Sequence, residues 1–271
     1  MRFAKGHGTG NDFVILPDPD GALALTPQLV RAVCDRRFGI GGDGVLRVVR
    51  TAKHPEAAAY VGTAEWFMDY HNADGSTAEM CGNGVRVFAR YLRHTGLADT
   101  DQIPLATRAG LVMAVLAGDE ITVDMVPPVL GPAATATVAG TAYPGTSCSV
   151  GNPHLVCPVP ELSTMDLSAA PGLDPAAFPD GANVEFTVAG EPVPGADAHV
   201  HMRVYERGSA ETLSCGSGAC AVAAVALRDA GLAAGRVAVD VPGGRLSVAL
   251  GPGTCLLTGP AVLVAHGEFE R

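Results

Sequence analysis

The sequence carries one pattern twice, once in each half. Cys81 lies in AEMCGNGVRVFARYLRHTGLA, and Cys215 lies in TLSCGSGACAVAAVALRDAGLA. Each cysteine is followed by Gly-Xaa-Gly and then by a run of helical character that ends in Gly-Leu-Ala. At the same offset MDYHNADG corresponds to MRVYERGS, so that Asn72 and Glu206 occupy equivalent positions upstream of the two cysteines. A repeat over this distance favours a fold built from two like domains.

An earlier Gly-Asn pair extends the repeat. Asn11 lies in GTGNDFV and Asn152 lies in SVGNPHLV, each beside an apolar stretch that is typical of a strand. Each half is therefore predicted to supply an early Gly-Asn loop and, later, a strand, a polar loop, a cysteine and a helix.

The length of 271 residues suits two domains of modest size. The proline-rich segment MVPPVLGP, residues 125–132, marks the divide. We expect residues 1–125 to form the N-terminal half, with a last strand over 262–271 returning to it, and residues 126–261 to form the C-terminal half.

The runs after the two cysteines predict helices. After Cys81 the apolar residues recur at helical spacing with arginines between them; they are Val85, Val87, Phe88, Tyr91 and Leu92, with Arg86, Arg90 and Arg93. After Cys215 the run ACAVAAVAL is apolar nearly all round, which predicts a helix buried on every side. A further helix is expected over residues 26–39, with Thr26 as its N-cap and Pro27 in its first position.

Most of the remaining chain is typical of short strands broken by Gly and Pro, such as LVMAVLAG, EITVDMV, RVAVDVPG and RLSVALGPG. WFMDY and HVHMRVY, which precede the two cysteine loops, alternate in the manner of half-buried strands.

Composition excludes several classes of function. The net charge of −10 and the pI near 5.2 argue against a surface for nucleic acid or for an anionic membrane. The sequence has no apolar run of membrane-spanning length and no signal-peptide pattern at its start, so we expect a cytoplasmic protein. Seven cysteines without a Cys-Xaa-Xaa-Cys pair argue against a disulfide framework and a zinc knuckle. Cys34, Cys148, Cys157, Cys220 and Cys255 are interpreted as small core residues.

The position of the repeated cysteines suits proton transfer. A helix N-terminus offers unpaired N–H groups and the positive end of the helix dipole, both of which favour a thiolate. The adjacent glycines let backbone N–H groups approach a bound anion closely. Two such thiols could take a proton from one face of a carbon and return one to the other. Buried packing cysteines and a redox pair are the alternatives. Because only Lys5 and Lys53 are present and neither lies in a cofactor motif, a pyridoxal phosphate mechanism is disfavoured.

The ordered motifs GTGNDF, NADGS, AEMCGNGVR, VGNPH, NVEF, YERGSAET and SCGSGACA closely resemble those of diaminopimelate epimerase, over nearly the whole chain. The resemblance implies an α/β (α+β) fold of two pseudo-symmetric domains, each a curved, mostly antiparallel sheet around a central helix, with the ligand between them. It also implies interconversion of LL- and meso-2,6-diaminopimelate for lysine and peptidoglycan synthesis, without cofactor or metal. A small-molecule substrate, no nucleic acid or membrane partner and a homodimer are expected.

The resemblance transfers to individual residues. Cys81 and Cys215 match the acid and base, and His154 and Glu206 match polar residues that tune the thiols. The positions that match the family's substrate-binding residues are Asn11, Asn72, Gly82, Asn83, Asn152, Asn183, Glu206, Arg207, Gly216 and Ser217. The sequence does not assign which thiol is ionised at rest. By family convention alone, we expect Cys81 to be the proton donor and Cys215 the acceptor.

One position departs from the family pattern. Many members carry Gln where this chain has Gly44, so we expect a contact to the distal head group to be lost or replaced by water or Asp43. Two alternatives stay open: a proline or hydroxyproline racemase, although those relatives tend to carry His at the position of Asn83, and a non-catalytic amino-acid-binding or thiol-sensing protein.

Overall fold

The computed structural model describes residues 1–270, which form three α-helices and eighteen strands. In chain order they are β1 Arg2–Gly8, β2 Asn11–Pro17, α1 Pro27–Cys34, β3 Gly44–Arg50, β4 Trp66–Asn72, α2 Gly82–His94, β5 Gln102–Thr107, β6 Gly110–Ala117, β7 Glu120–Asp124, β8 Val129–Val138, β9 Thr141–Ser149, β10 Pro153–Pro158, β11 Gly172–Leu173, β12 Asn183–Ala189, β13 Ala198–Glu206, β14 Ala210–Thr212, α3 Gly216–Asp229, β15 Gly235–Val241, β16 Gly244–Gly251, β17 Thr254–Pro260 and β18 Val262–Glu268. Over this range no helix is long and apolar enough to cross a membrane.

The chain divides into two compact units. Unit 1 comprises Met1–Val123 together with the segment that starts at Gly259, and unit 2 comprises Asp124–Thr258. The last strand, β18, pairs antiparallel with β1 and so belongs to unit 1. That each half folds as an independent domain stays a prediction.

Unit 1 arranges its strands in the order β18, β1, β2, β3, β4, β5, β6, β7. The pairs β2–β3 and β4–β5 are parallel and the others are antiparallel. α2 packs against β1, β2, β6 and β18, and Val85, Val87, Phe88 and Leu92 fill the core on that helix. The strands of unit 1 thus surround one central helix.

Unit 2 repeats this pattern in eight of its strands. Their order is β8, β9, β10, β12, β13, β15, β16, β17, and again the third and fifth pairs, β10–β12 and β13–β15, are the parallel ones. The short strands β11 and β14 pair in addition with β8 and β13. α3 packs against β13, β15 and β16, and is buried on nearly all sides as its sequence predicts. The mixed α+β fold of two like units, each around a central helix, is confirmed.

Two local predictions are wrong in detail. The helix expected over residues 26–39 begins as predicted, with Thr26 accepting from the Leu29 N–H, but it ends at Cys34. Asp35 adopts an extended backbone, and its side chain accepts from the N–H groups of Arg37 and Phe38. These hydrogen bonds form a side-chain-capped turn and replace a further turn of the helix.

The strand that contains WFMDY was expected to be half-buried, and it is buried on both faces. The polar side chains of this strand can be buried because they form hydrogen bonds with one another and with Arg108. Asp69 accepts from Arg108 at 2.6 Å and contacts His71 at 2.9 Å. Burial alone would raise the pKa of Asp69, but its hydrogen bonds to His71 and Arg108 outweigh burial and hold the pKa well below its usual range.

Candidate active site

Cys81 is the N-cap of α2. Its backbone is extended (φ −142°, ψ 114°), and its Sγ accepts from the N–H of Gly84 at 3.4 Å. The sequence CGNG favours this geometry because small residues in the first turn leave the backbone N–H groups accessible. The thiol is therefore held at the positive end of a helix of 13 residues, as the sequence predicts.

A chain of amide groups runs beside Cys81. The Asn11 Oδ1 lies 3.7 Å from the Cys81 Sγ and accepts from the Asn83 Nδ2 at 3.3 Å. The Asn83 Oδ1 in turn accepts from the Arg86 Nη2 at 2.7 Å. Arg86 is fully buried and also donates to the Gly82 carbonyl and to Thr9. These contacts fix the orientation of both asparagines, so their positions beside the thiol are preorganised.

The Asn11 amide is also held from its other side. Its Nδ2 donates to Asp43 at 2.8 Å, and Asp43 accepts in addition from Arg36 at 2.8 Å. The neighbouring Gly44 has no room for a side chain, since a Cβ there would lie 2.5 Å from the His71 carbonyl oxygen. Asp43 thus orients Asn11. At the next position the backbone leaves no space for the glutamine side chain that many family members carry in place of Gly44.

Asn72, at the end of β4, is engaged within its own loop. Its Oδ1 accepts from the Tyr70 hydroxyl at 2.7 Å, and its Nδ2 donates to Ser76 at 3.0 Å. Its side chain is only half-buried. A ligand that binds Asn72 would exchange one of these contacts for its own.

Cys215 is the N-cap of α3 and repeats the geometry of Cys81. Its backbone is extended (φ −122°, ψ 116°), its Sγ accepts from the N–H of Gly218 at 3.4 Å, and it lies 3.5 Å from the Ser217 hydroxyl. Gly216 is the first residue of the helix. In contrast to Cys81, which is half-buried, Cys215 is buried.

A buried hydrogen-bonded pair of side chains lies beneath the first turn of α3. The His154 Nδ1 lies 2.7 Å from the Glu185 Oε1, and both side chains are fully buried. The other ring nitrogen of His154 contacts the Asn152 Oδ1 at 3.0 Å. Glu185 reaches the helix itself, because a Cβ on Gly218 would lie 2.6 Å from its Oε1. The second oxygen, Oε2, is buried and has no hydrogen-bond partner within residues 1–270.

Glu206, Arg207 and Asn183 form a second group of polar residues in unit 2. Glu206 ends β13 and accepts from the Thr212 hydroxyl. The Asn183 Oδ1 accepts from the backbone N–H of Arg207 at 2.9 Å, which fixes the turn that follows Glu206. The Arg207 guanidinium is exposed and donates to the Asp180 carbonyl at 3.1 Å. Arg207 is thus available to a carboxylate from solvent.

The surroundings of Cys215 keep its thiol protonated. Burial raises its pKa well above the usual value, and the negative charges of Glu206 and Glu185 raise it further. Burial also raises the pKa of Glu206, against the hydrogen bonds from Thr212 and Cys215, which lower it. The pKa values of Cys215 and Glu206 are therefore both raised, so the protonated form of each group is favoured.

The strand registers show which residues of the two units are equivalent. Phe13 pairs with Gly44 across β2–β3, as His154 pairs with Asn183 across β10–β12. The position equivalent to Glu185 is Leu46, whose Cδ2 would lie 3.3 Å from a Cβ on Gly84, the counterpart of Gly218. Beneath α2, unit 1 thus has Phe13 and Leu46 at the positions where unit 2 has His154 and Glu185 beneath α3.

Sequence reasoning missed two residues of these half-sites. Glu185 lies in the quoted motif NVEF, and its signal is a carboxylate within an otherwise apolar strand, VEFTV. Arg86 was grouped with Arg90 and Arg93 between the apolar positions of α2, although it is fully buried and holds Asn83. Its signal is its position one turn after Gly82 and Asn83, in the part of the helix nearest the cysteine.

Comparison with known proteins identifies relatives over the full length. The family model described as diaminopimelate epimerase matches residues 3–131 and 146–264. A diaminopimelate epimerase of Streptomyces coelicolor is 52% identical over 282 residues, covering 100% of this chain and 96% of that protein. One of Thermobifida fusca is 54% identical over 277 residues, covering 100% and 98%.

Solved structures show the same fold at low sequence identity. A Bacillus anthracis phenazine biosynthesis protein of the PhzF family superimposes with a TM-score of 0.74 at 16% identity, covering 100% of this chain and 99% of that one. A probable proline racemase from Agrobacterium radiobacter gives a TM-score of 0.69 at 15% identity, covering 99% and 92%. At these identities the likeness concerns the fold alone.

Proposed function

We infer the reaction from one premise: the chain belongs to the diaminopimelate epimerase family. It is accordingly an isomerase that interconverts LL- and meso-2,6-diaminopimelate, a step that serves lysine and peptidoglycan synthesis. The observation that supports a two-thiol mechanism most directly is the repeated geometry of Cys81 and Cys215, each an N-cap whose sulfur accepts a backbone N–H.

In the proposed mechanism one thiolate removes the α-proton and the other thiol delivers its proton to the opposite face of the same carbon. The C–H electron pair stays on the carbon until the new C–H bond forms, so the reaction needs no external oxidant or reductant. Donors at the two helix N-termini stabilise the anionic charge that develops, and each well-placed donor contributes roughly 3–4 kcal/mol. General acid and base catalysis adds about 10²–10⁴-fold.

The protonation states are proposed to differ at rest. Burial and the charges of Glu206 and Glu185 favour the neutral thiol of Cys215, which makes it the proton donor in the first turnover. This assignment is the reverse of the roles expected from the family resemblance. Cys81 then acts as the base, beside the amides of Asn11 and Asn83. Reversal of the reaction exchanges the two roles.

The polar residues of each unit are proposed to hold the amino-acid groups of the substrate. In unit 2 the exposed guanidinium of Arg207 suits a carboxylate, because its planar fork can donate two parallel hydrogen bonds. Glu206 suits the ammonium group. The binding asparagines, Asn11, Asn72, Asn83, Asn152 and Asn183, offer both donors and acceptors, as an amino-acid head group requires.

Solvent-deuterium exchange tests the mechanism directly. The protein is incubated with LL-diaminopimelate in D₂O, and deuterium at the α-carbon is followed by NMR. We expect exchange and formation of the meso isomer in the wild type, and loss of turnover in Cys81→Ala and Cys215→Ala. Cys34→Ala is the matched control, because burial raises the pKa of this thiol to about 12 and leaves it inert. Full turnover in either single variant would exclude that thiol from the mechanism, and turnover of proline in place of diaminopimelate would contradict the assigned substrate.

We also propose that the protein is a homodimer of the cytoplasm. Two exposed valines, Val262 and Val264, lie on the same face of β18, which supports a contact with a second copy. A mechanism with two reduced thiols is compatible with a reducing compartment. Light scattering after size-exclusion chromatography and cell fractionation test these two statements.

A further inference from the structure

Three potential metal ligands lie together on unit 2, apart from the thiol chemistry. His199 and His201 are two residues apart on β13 and therefore lie on the same face of that strand. On the neighbouring parallel strand β15, Asp240 is the register partner of His201. One ligand atom from each of the three side chains lies within 4.8 Å of the others.

Both ring nitrogens of His199 face oxygen atoms. Its Nδ1 lies 2.6 Å from the Glu191 carbonyl oxygen, and its Nε2 lies 2.8 Å from the Asp240 Oδ2. The carbonyl can only accept, so Nδ1 donates to it. This contact leaves Nε2 directed at the carboxylate of Asp240, where one metal ion could bind both atoms.

The environment suits a metal ion. A metal-bound histidine commonly donates its other N–H to a backbone carbonyl, as His199 does to Glu191. The hydrogen bond from Arg245 to Asp240 lowers the pKa of this carboxyl to about 2 despite partial burial, so the ligand is ionised at neutral pH. The His201 Nδ1 lies 3.7 Å from the same oxygen, and its side chain is 46% exposed, which gives an ion a path of entry.

We propose that His199, His201 and Asp240 form a binding site for a divalent transition metal of the zinc, cobalt and nickel class. Two imidazoles and one carboxylate, with a remaining position for water, are the ligands these ions favour. The ion binds the His199 Nε2 and the Asp240 Oδ2 together. It ties β13 to β15, on the strand that ends at Glu206.

Arg245 competes with the ion. Its Nε lies 2.5 Å and its Nη2 2.8 Å from the two oxygens of Asp240. The Arg245 side chain is 53% exposed, so it can leave the carboxylate at low cost. Removal of this cation should strengthen metal binding, whereas removal of any ligand should weaken it. A merely electrostatic cluster predicts the effects at Arg245 and Asp240 as well, but it does not predict that loss of the His201 imidazole weakens binding.

Cobalt titration of the full chain tests the proposal. Co²⁺ bound by nitrogen and oxygen gives visible d–d bands, whereas thiolate ligation adds a strong charge-transfer band in the near ultraviolet, so the active-site cysteines are distinguished. We expect d–d bands alone, with affinity reduced about tenfold or more in His201→Ala and Asp240→Asn. Affinity should rise several-fold in Arg245→Gln and stay unchanged in His94→Ala, an exposed histidine of α2.

Because binding releases a proton, the affinity should also fall as the pH is lowered. Equal Co²⁺ affinity in the wild type and His201→Ala, or weaker binding in Arg245→Gln than in the wild type, would overturn the site. His201 and Arg245 are both exposed, so their variants are expected to fold, which far-ultraviolet circular dichroism checks.

Discussion

The equivalence of the two units leads to a prediction about the buried pair in unit 2. Exchanging His154→Phe and Glu185→Leu would give unit 2 the residues that Phe13 and Leu46 provide in unit 1. The two substitutions are to be made singly and together. The positions are fully buried in both units, so the same apolar contacts already exist in one copy of the fold.

The expected free energies follow from burial. Each single substitution leaves the other member of a fully buried hydrogen-bonded pair without its partner, which costs about 1–3 kcal/mol. The double substitution removes both polar groups and fills the space with apolar groups. Such replacements are often nearly neutral or stabilising. The two changes should therefore be strongly non-additive, with a coupling energy of roughly 2 kcal/mol or more.

Urea unfolding measures this cycle. The only tryptophan, Trp66, is buried in unit 1, so its fluorescence follows that unit, while far-ultraviolet circular dichroism follows both. We expect the single variants to lose stability mainly in the dichroism signal. The double variant should regain the wild-type midpoint. Single costs below about 1 kcal/mol, or a double variant as unstable as the sum of the singles, would refute the pairing argument.

A second readout connects the pair to chemistry. The charge of Glu185 contributes to the raised pKa of Cys215. Burial is the largest cause of that raised pKa, and the negative charge of Glu185 adds to it by disfavouring the thiolate. The double variant should alkylate faster at Cys215 with iodoacetamide, whereas Glu161→Gln, an exposed carboxylate of unit 2, should change nothing. An unchanged rate in the double variant would remove Glu185 from the control of the thiol.

Three further predictions concern single positions. Gly218→Ala should be more destabilising than Gly84→Ala in urea unfolding. The new Cβ at position 218 would lie 2.6 Å from the Glu185 Oε1, whereas that at position 84 would lie 3.3 Å from the Leu46 Cδ2. Equal losses of unfolding free energy would contradict the close approach of Glu185 to α3. Asp69 has a pKa in the folded chain below the unfolded value of about 3.9, so its stabilisation is present above that pH and is lost as pH falls through it toward the folded value. Asp69→Asn should therefore be less stable at pH 7 and show a shallower decline in acid, and an unchanged pH profile would count against this. Arg86→Met should raise KM and lower the free energy of unfolding by about 1–3 kcal/mol, because the Gly82 carbonyl and the Asn83 Oδ1 lose their buried donor. An unchanged KM would show that the orientation of Asn83 does not affect substrate binding.

The sequence predicted the features that depend on local chemistry. A cysteine before Gly-Xaa-Gly favours an N-cap, and both cysteines have that geometry. The apolar run after Cys215 predicts a helix buried nearly all round, as observed. The repeat predicted two like units, and the order of parallel and antiparallel pairs agrees strand for strand.

Features that depend on distant partners could not be predicted in this way. Asp69 and His71 alternate with apolar residues, which is typical of a half-buried strand, yet Arg108 from another strand's end brings them into the core. The length of α1 depended on a competing side-chain turn at Asp35. An acidic residue within an apolar run does not indicate which residue it pairs with. The partner of Glu185 follows only from the pairing of β10 with β12, which brings it to His154.

The difference between the two units has a chemical consequence. Two thiols at identical helix N-termini, in identical surroundings, would have the same intrinsic pKa, so neither would be favoured as the thiolate. A two-base epimerisation instead requires one thiolate and one thiol before each turnover. The helix geometry, which the duplication preserves, cannot provide that difference. The residues below and beside the helix can, because the charges of Glu206 and Glu185 add to burial in raising the pKa of Cys215. We therefore expect the divergence of these buried positions, rather than of the cysteine motif, to decide which thiol is ionised at rest.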